Sequence, residues 1–282
     1  CRLTFKKYME LTGSTFLENG INNLDYKLHN FGDRGARGPE AAIISGIAHA
    51  YLFDGSDCTN ANGFIKKLFN TQVVATTSIE ATEHSVMTMH SNPETKDDLG
   101  AAKMAVSRLY KVVERTKRGI GIPLLSCVID TYDSRRFVRD YLGTQLKDEL
   151  LASGGKIICR PDSGDPTVEP GMVGKDIEAT FGVTTNEEGY KVLHPQVGVI
   201  QGDGNRIDSF EGIIKGWVDA GFSLDGFVLG MGGGITNDGG RDDFSFSMKA
   251  VAYNDGSRWK RLLKEPITDI GKKSLSGLVR CR

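Results

Sequence analysis

The chain has 282 residues, with 35 Lys and Arg against 36 Asp and Glu, and 39% of its residues are apolar. That balance is ordinary for a soluble globular protein and gives no global field toward nucleic acid or an anionic membrane, so any anion site has to be local. No apolar run approaches the roughly 18 residues of a membrane span. The five cysteines are widely spaced with no CxxC pair, which argues against a zinc site or a disulfide framework and for a reducing, cytoplasmic setting. The chain opens at Cys1 without Met, ends on Arg282 with no obvious closing element, and reads as a fragment of a longer protein.

Residues 1 to 20 carry little pattern. In Leu28 to Ala42 a loop with His29, Phe31 and Arg34 leads into a helix, with Pro39 suited to its first turn and Ala41–Tyr51 apolar and small. His49 falls in that apolar stretch and reads as a packed core histidine. A helix is predicted around Gly63–Phe69 and a strand over Val73–Thr77, followed by Ser78, Glu80, Glu83 and His84. The spacing of Ala101, Met104, Ala105, Leu109, Val112 and Val113 predicts a helix from Asp98 to about Arg118. Pro123–Ile129 reads as a buried strand ending in Asp130 and Asp133, then a helix carries Phe137, Tyr141, Leu142, Leu146 and Leu150.

The next strand, Ile157–Arg160, ends in Arg160, Asp162 and Ser163. An Arg and an Asp two residues apart on an extended strand present a positive fork and an oxygen acceptor on one side, which suits a sugar phosphate; a surface salt bridge beside a turn gives the same pattern. Residues 167–196 interrupt the rhythm with a short helix and a hairpin turning near Asn186–Gly189. Val197–Ile200 resumes it, ending in Gln201-Gly202-Asp203-Gly204. Asp208 with Glu211 resembles a capping box for the helix that follows. Phe227–Leu229 runs into Gly230-Met231-Gly232-Gly233-Gly234. Phe244–Tyr253 alternates like a half-buried strand before the Asp255-Gly256 hairpin signal.

Strand-then-helix units with polar groups at each strand's C-terminal end indicate a parallel α/β sheet, either a barrel or a doubly wound sheet. The two late Gly-rich loops favour a (β/α) barrel-like core over residues 1–243, with an insertion at about 167–196, and residues 244–282 belonging to a β-rich second domain. GMGGG suits a phosphate cradle, since glycines let backbone N–H groups approach an anion. It lacks the GKS or GKT of a P-loop, and QGDGNR lacks the third glycine of a dinucleotide fingerprint. Arg241 stands just downstream, either closing over that phosphate or solvated. His84, after Glu80 and Glu83, suits a base, a phosphate ligand or a phospho-acceptor, though a lone His is more often structural.

Taken in order, HNFGDRG (His29–Gly35), GSD (Gly55–Asp57), SIEATEHS (Ser78–Ser85), SCVIDTYD (Ser126–Asp133), IICRPDSGDP (Ile157–Pro166), GYKVL (Gly189–Leu193), VIQGDG (Val199–Gly204), GMGGG and KEPITD (Lys264–Asp269) resemble the type II phosphoribosyltransferases that make nicotinamide mononucleotide. The resemblance covers nearly the whole chain. It implies transfer of phosphoribosyl from phosphoribosyl pyrophosphate to nicotinamide in NAD salvage. On that footing Phe31 stacks on the nicotinamide ring, Asp57 accepts from its carboxamide and Ser126 lies near the same amide. Arg34, His84 and Arg160 bind diphosphate. Arg160, Asp162, Gly202 and Asp203 hold the ribose, with Gly233 and Arg241 on the 5′-phosphate; His84, Asp162 and Arg160 form the catalytic set. Asp130 and Asp162 order Mg²⁺ and its waters, and ATP phosphorylates His84. A carboxylate at Asp57 favours nicotinamide over nicotinate by repulsion.

The resemblance also implies a homodimer whose partner completes the ring sandwich with an aromatic. Ile79 and Glu80 depart from the family's Val-Pro pair, and Met231 from its Ser. Alternatives are a nicotinate phosphoribosyltransferase and a non-catalytic remnant that holds the mononucleotide or a phosphosugar. An aldolase or isomerase would want a Schiff-base Lys or a poised Glu at a strand end. The Lys found, Lys156, stands at the start of its strand.

Overall fold

The computed structural model describes residues 1–236 and 248–278. Six short strands form the main sheet: β1 (Leu28–Asn30), β2 (Glu80–Ala81), β3 (Leu124–Val128), β4 (Lys156–Arg160), β5 (Val197–Gln201) and β6 (Phe227–Met231). All pair in parallel, in the order β1-β6-β5-β4-β3-β2. From β2 onward strands consecutive in the chain lie side by side, and the last lies beside the first, the order of a curled sheet. Two extended pieces bridge the remaining gap between β1 and β2. Asn30 pairs with Ser56, and Gly55 with Thr77, just ahead of β2. Asn30 N donates to Gly55 O at 3.1 Å and Thr77 N to Asp54 O at 2.8 Å, so the sheet closes on itself through a thin seam.

Helices cover the outside. Pro39–Ala50 and Leu99–Thr116 form as their patterns predict, the second burying Ala101, Ala105, Leu109, Val112 and Val113. Burial on both faces explains why β3, β4 and β5 read as continuous apolar runs. On helix Phe210–Asp219, Trp217 is fully buried, stacks on Phe227 at 4.5 Å and donates Nε1–H to Ser223 O at 2.8 Å. His49 is buried against Phe53 with Nε2 2.9 Å from Gly55 O, the packed histidine that the sequence suggests.

Several expectations are corrected. Val73–Thr77 contributes only Thr77 to the sheet, because the Asn62 amide takes the backbone of Ala75 and Thr76 and leaves no ladder to form. The helix expected to carry Phe137 through Leu150 is broken into Ser134–Arg136, a wide π-type turn over Phe137–Gln145, and Lys147–Ala152. The capping box at Asp208 does not form: the helix starts at Phe210, Asp208 faces Arg206, and Glu211 faces Lys7 and Tyr8. Of the strand expected over Phe244–Tyr253, Ala252–Asn254 opens a hairpin with Trp259–Arg261, and residues 244–247 lie outside the described residues. The hairpin Val183–Thr185 with Lys191–Leu193 forms as expected.

After the second hairpin the chain returns across the C-terminal rim of the barrel. Glu265 N and Ile267 N donate to Thr131 O and Tyr132 O, both at 2.9 Å, and Leu262 and Leu263 are buried. No helix among the described residues is long and apolar enough to cross a membrane.

Candidate active site

A cavity of about 350 Å³ opens on the rim where the strands end. Phe31 and Arg34 reach it from the loop after β1, Arg160 and Asp162 from the end of β4, and Gly202 and Asp203 from the end of β5. Asp57 enters from the seam, and Gly233 from the short turn of helix Gly233–Thr236 after β6.

One end of the cavity is an aromatic ring beside a carboxylate. Phe31 N donates to Met231 O at 2.9 Å, fixing the ring's root to β6. A Cβ on Gly230 would lie 1.9 Å from Phe31 Cε2, so the first glycine of GMGGG exists to admit this ring. Asp57 Oδ1 lies 2.8 Å from His29 Nε2 and accepts from Ser78 Oγ at 2.5 Å. Burial alone would raise the Asp57 carboxyl, but these hydrogen bonds and the nearby Arg160 hold it below its ordinary value. The carboxylate is therefore ionised. Since Asp stands between Ser and His, the trio lacks the order of a hydrolytic triad, in which the histidine is central.

The other end is cationic. Arg160 is 7% exposed; its Nη2 donates to Thr82 O at 3.0 Å, and its Nε has no hydrogen-bond partner. A buried guanidinium with an unused donor on a cavity wall is a site for an anion. Glu83 lies 3.6 Å from Arg160 and 3.8 Å from Arg34, so one carboxylate spans the two arginines expected to meet diphosphate.

Behind this wall lies a buried charge cluster. His84 Nε2 is 3.0 Å from Asp130 Oδ1 and 2.9 Å from Lys264 Nζ, while Nδ1 is 3.7 Å from Asp162 Oδ2. Lys264 Nζ also lies 3.5 Å from Asp130 Oδ2. Burial opposes charge on Asp130, but His84 and Lys264 overcome it and hold the carboxyl far below the usual range. Asp130 thus sits behind His84, whereas Asp162 borders the cavity. Ser126 is buried within β3, off the cavity wall, with Oγ lacking a hydrogen-bond partner. Arg241 lies outside the described residues.

Sequence reasoning gave no role to Lys264, Lys272, His29 or Ser78. Lys272 Nζ bonds the Asp203 carboxylate and donates to Asp162 O at 2.9 Å, so the returning tail brings two lysines to the acids of the site. Lys264 heads the KEPITD segment, where a lysine beside apolar Leu262 and Leu263 was the available signal. For Lys272 there was none.

The model of the nicotinate phosphoribosyltransferase family matches residues 26–281. The chain is 35% identical over 254 residues to a nicotinamide phosphoribosyltransferase of Xanthomonas campestris pv. campestris (strain 8004), a match covering 90% of this chain and 51% of that protein. It is 34% identical over 281 residues to the enzyme of the same name from Acinetobacter baylyi, covering 92% and 53%. The chain thus spans about half the length of the curated relatives it matches. The crystal structure of nicotinate phosphoribosyltransferase from Porphyromonas gingivalis shares the fold at a TM-score of 0.54 and 16% identity, over 98% of this chain and 59% of that one. Motif order, curled parallel sheet and family match converge: the chain belongs to the nicotinate phosphoribosyltransferase family.

Proposed function

We propose that this chain carries the active site of a nicotinamide phosphoribosyltransferase of NAD salvage, acting in the cytoplasm as a homodimer. The observation that carries the reading is the polarity of one cavity, with Phe31 and ionised Asp57 at one end and the half-satisfied Arg160 at the other. The flat base docks on the ring. Its carboxamide donates to Asp57, and the diphosphate of phosphoribosyl pyrophosphate meets Arg160 and Arg34 after displacing Glu83. The pyridine nitrogen then attacks the anomeric carbon as the bond to diphosphate breaks, leaving a pyridinium and requiring no proton transfer. Orientation and neutralisation of the leaving group carry the rate. An ionised Asp57 disfavours nicotinate, whose carboxylate it would repel.

Asp162, on the cavity wall, fits Mg²⁺, an ion commonly held by one or two carboxylates plus substrate phosphates, whereas Asp130 is buried behind His84, with Oδ1 on that ring and Oδ2 3.5 Å from the Lys264 ammonium. When bound, Mg²⁺ would neutralise the departing diphosphate. Nδ1 of His84 lies 3.7 Å from Oδ2 of Asp162, itself on the cavity wall, which supports a part for this ring in accepting the γ-phosphoryl of ATP with release of ADP.

The test is incubation of the purified protein with phosphoribosyl pyrophosphate, Mg²⁺ and either base, with and without ATP, reading mononucleotide by mass. Nicotinamide mononucleotide from the amide alone is expected. Product from nicotinate alone would overturn the specificity, and binding of the mononucleotide without turnover would support a binding-only chain.

A further inference from the structure

His29 and Phe31 are two residues apart and leave β1 on the same side, with ring centroids 5.0 Å apart. His29 Nε2 meets Asp57 Oδ1 at 2.8 Å. Because that carboxyl is ionised, the proton of this bond belongs to Nε2. Ser78 has a single hydroxyl proton; Asp57 Oδ1 at 2.5 Å takes it in preference to Ile79 O at 3.2 Å. Both protein donors therefore converge on Oδ1, and no donor among the described residues meets Oδ2. Nδ1 of His29 lies 2.8 Å from where a Cβ on Gly55 would stand, so the glycine of the GSD segment leaves just the room that this ring fills.

We propose that His29 is a specificity-determining positioning residue: with Ser78 it occupies Oδ1 of Asp57, leaving Oδ2 as the atom that reads the incoming base, while its ring sets the tilt of Phe31. The ligand class selected is a flat heteroaromatic amide that presents an N–H in the plane of its ring. A base with a carboxylate there offers no donor to Oδ2. The inference deepens the proposed function and rests on it.

The test measures nicotinamide and nicotinate binding by calorimetry, together with kcat and KM, for wild type, His29→Leu, His29→Gln and Ser78→Ala. Removing one hydrogen bond to a partly buried carboxylate should weaken nicotinamide binding by roughly ten- to a hundredfold in His29→Leu. KM should rise more than kcat falls, and the preference for the amide should shrink. His29→Gln, which keeps an N–H donor, should recover much of the loss, and Ser78→Ala should show a smaller version of it. Wild-type binding of nicotinamide with unchanged affinity and preference in folded His29→Leu and Ser78→Ala would overturn this inference alone. Failure of the wild type to bind nicotinamide would overturn the functional reading and this inference with it.

Discussion

Gly230→Ala isolates the ring of Phe31 from the rest of the site. The new methyl would lie 1.9 Å from Cε2 of Phe31, with two further ring atoms at 2.6 and 2.7 Å. Carbon atoms rest at about 3.5 Å or more, so something must move by about 1.6 Å. The strand is poorly placed to yield: Gly230 is in register with His29 of β1, and its carbonyl accepts from Asn205 Nδ2. The ring, which borders open cavity, has somewhere to go. Overpacking of this kind costs about 1–3 kcal/mol, and displacement of a positioning group by about 1 Å costs on the order of a hundredfold in rate. The variant should therefore remain folded, with Tm lowered by roughly 2–4 °C per kcal/mol for a chain of this size. Its KM for nicotinamide should rise far more than its KM for phosphoribosyl pyrophosphate, as steady-state kinetics with each substrate varied in turn will read. Equal nicotinamide KM values for variant and wild type would refute the assignment of the ring as the platform for the base.

Gly63→Ala is the matching control: Gly63 lies in helix Ala61–Leu68 with nothing within 4 Å of a new Cβ, and the change should stabilise by about 0.5–1 kcal/mol in a urea melt without altering either KM. Asp98 is buried, and burial pushes its carboxyl up to about 7 from an ordinary 3.8. Between those values the folded state keeps a proton that the unfolded state has lost. Its stabilisation is complete below 3.8 and lost as pH rises through 7. Asp98→Asn should therefore gain on wild type as pH rises, by up to about 4 kcal/mol at pH 8 and by little near pH 4; a gap independent of pH would refute this. Lys264→Met leaves the Asp130 carboxylate without its buried ammonium and should cost about 3–5 kcal/mol in urea unfolding, less when combined with Asp130→Asn. Additivity of the two changes within about 0.5 kcal/mol would show that they do not interact.

The barrel was legible because β3, β4 and β5 are largely buried apolar runs, and β3 and β4 give way abruptly to charge, as at Val128-Ile129-Asp130 and Ile158-Cys159-Arg160. The site followed from those ends, since parallel strands deliver their C-terminal residues to one rim. What escaped was whatever depended on a side chain's choice of partner, which periodicity does not record. Val73–Thr77 has good strand composition, but Asn62 claims its backbone. Asp208 and Glu211 have capping spacing, but each finds an ion pair elsewhere. His29, Ser78, Lys264 and Lys272 act across separations of 21 to 180 residues, through contacts that periodicity cannot register. Gly230 and Gly55 were visible as glycines. Their reason, room for Phe31 and His29, appears only in three dimensions.

The seam through Asp54–Asp57 and Thr77 has a consequence for motion. Elsewhere the barrel wall is strand ladder, but here β1 is linked to Thr77, just ahead of β2, by isolated bridges, two amide bonds on each side of the Gly55–Ser56 step. Few bonds need to break for this part of the wall to part, and stretches with few bonds open first and most often in native-state exchange. The amides of Ser56, Asp57 and Thr77 should thus exchange well before those of Cys127 or Cys159. Asp57, the carboxylate proposed to meet the base, is mounted on this seam, so each opening should loosen that end of the cavity while leaving the Arg160 end in place.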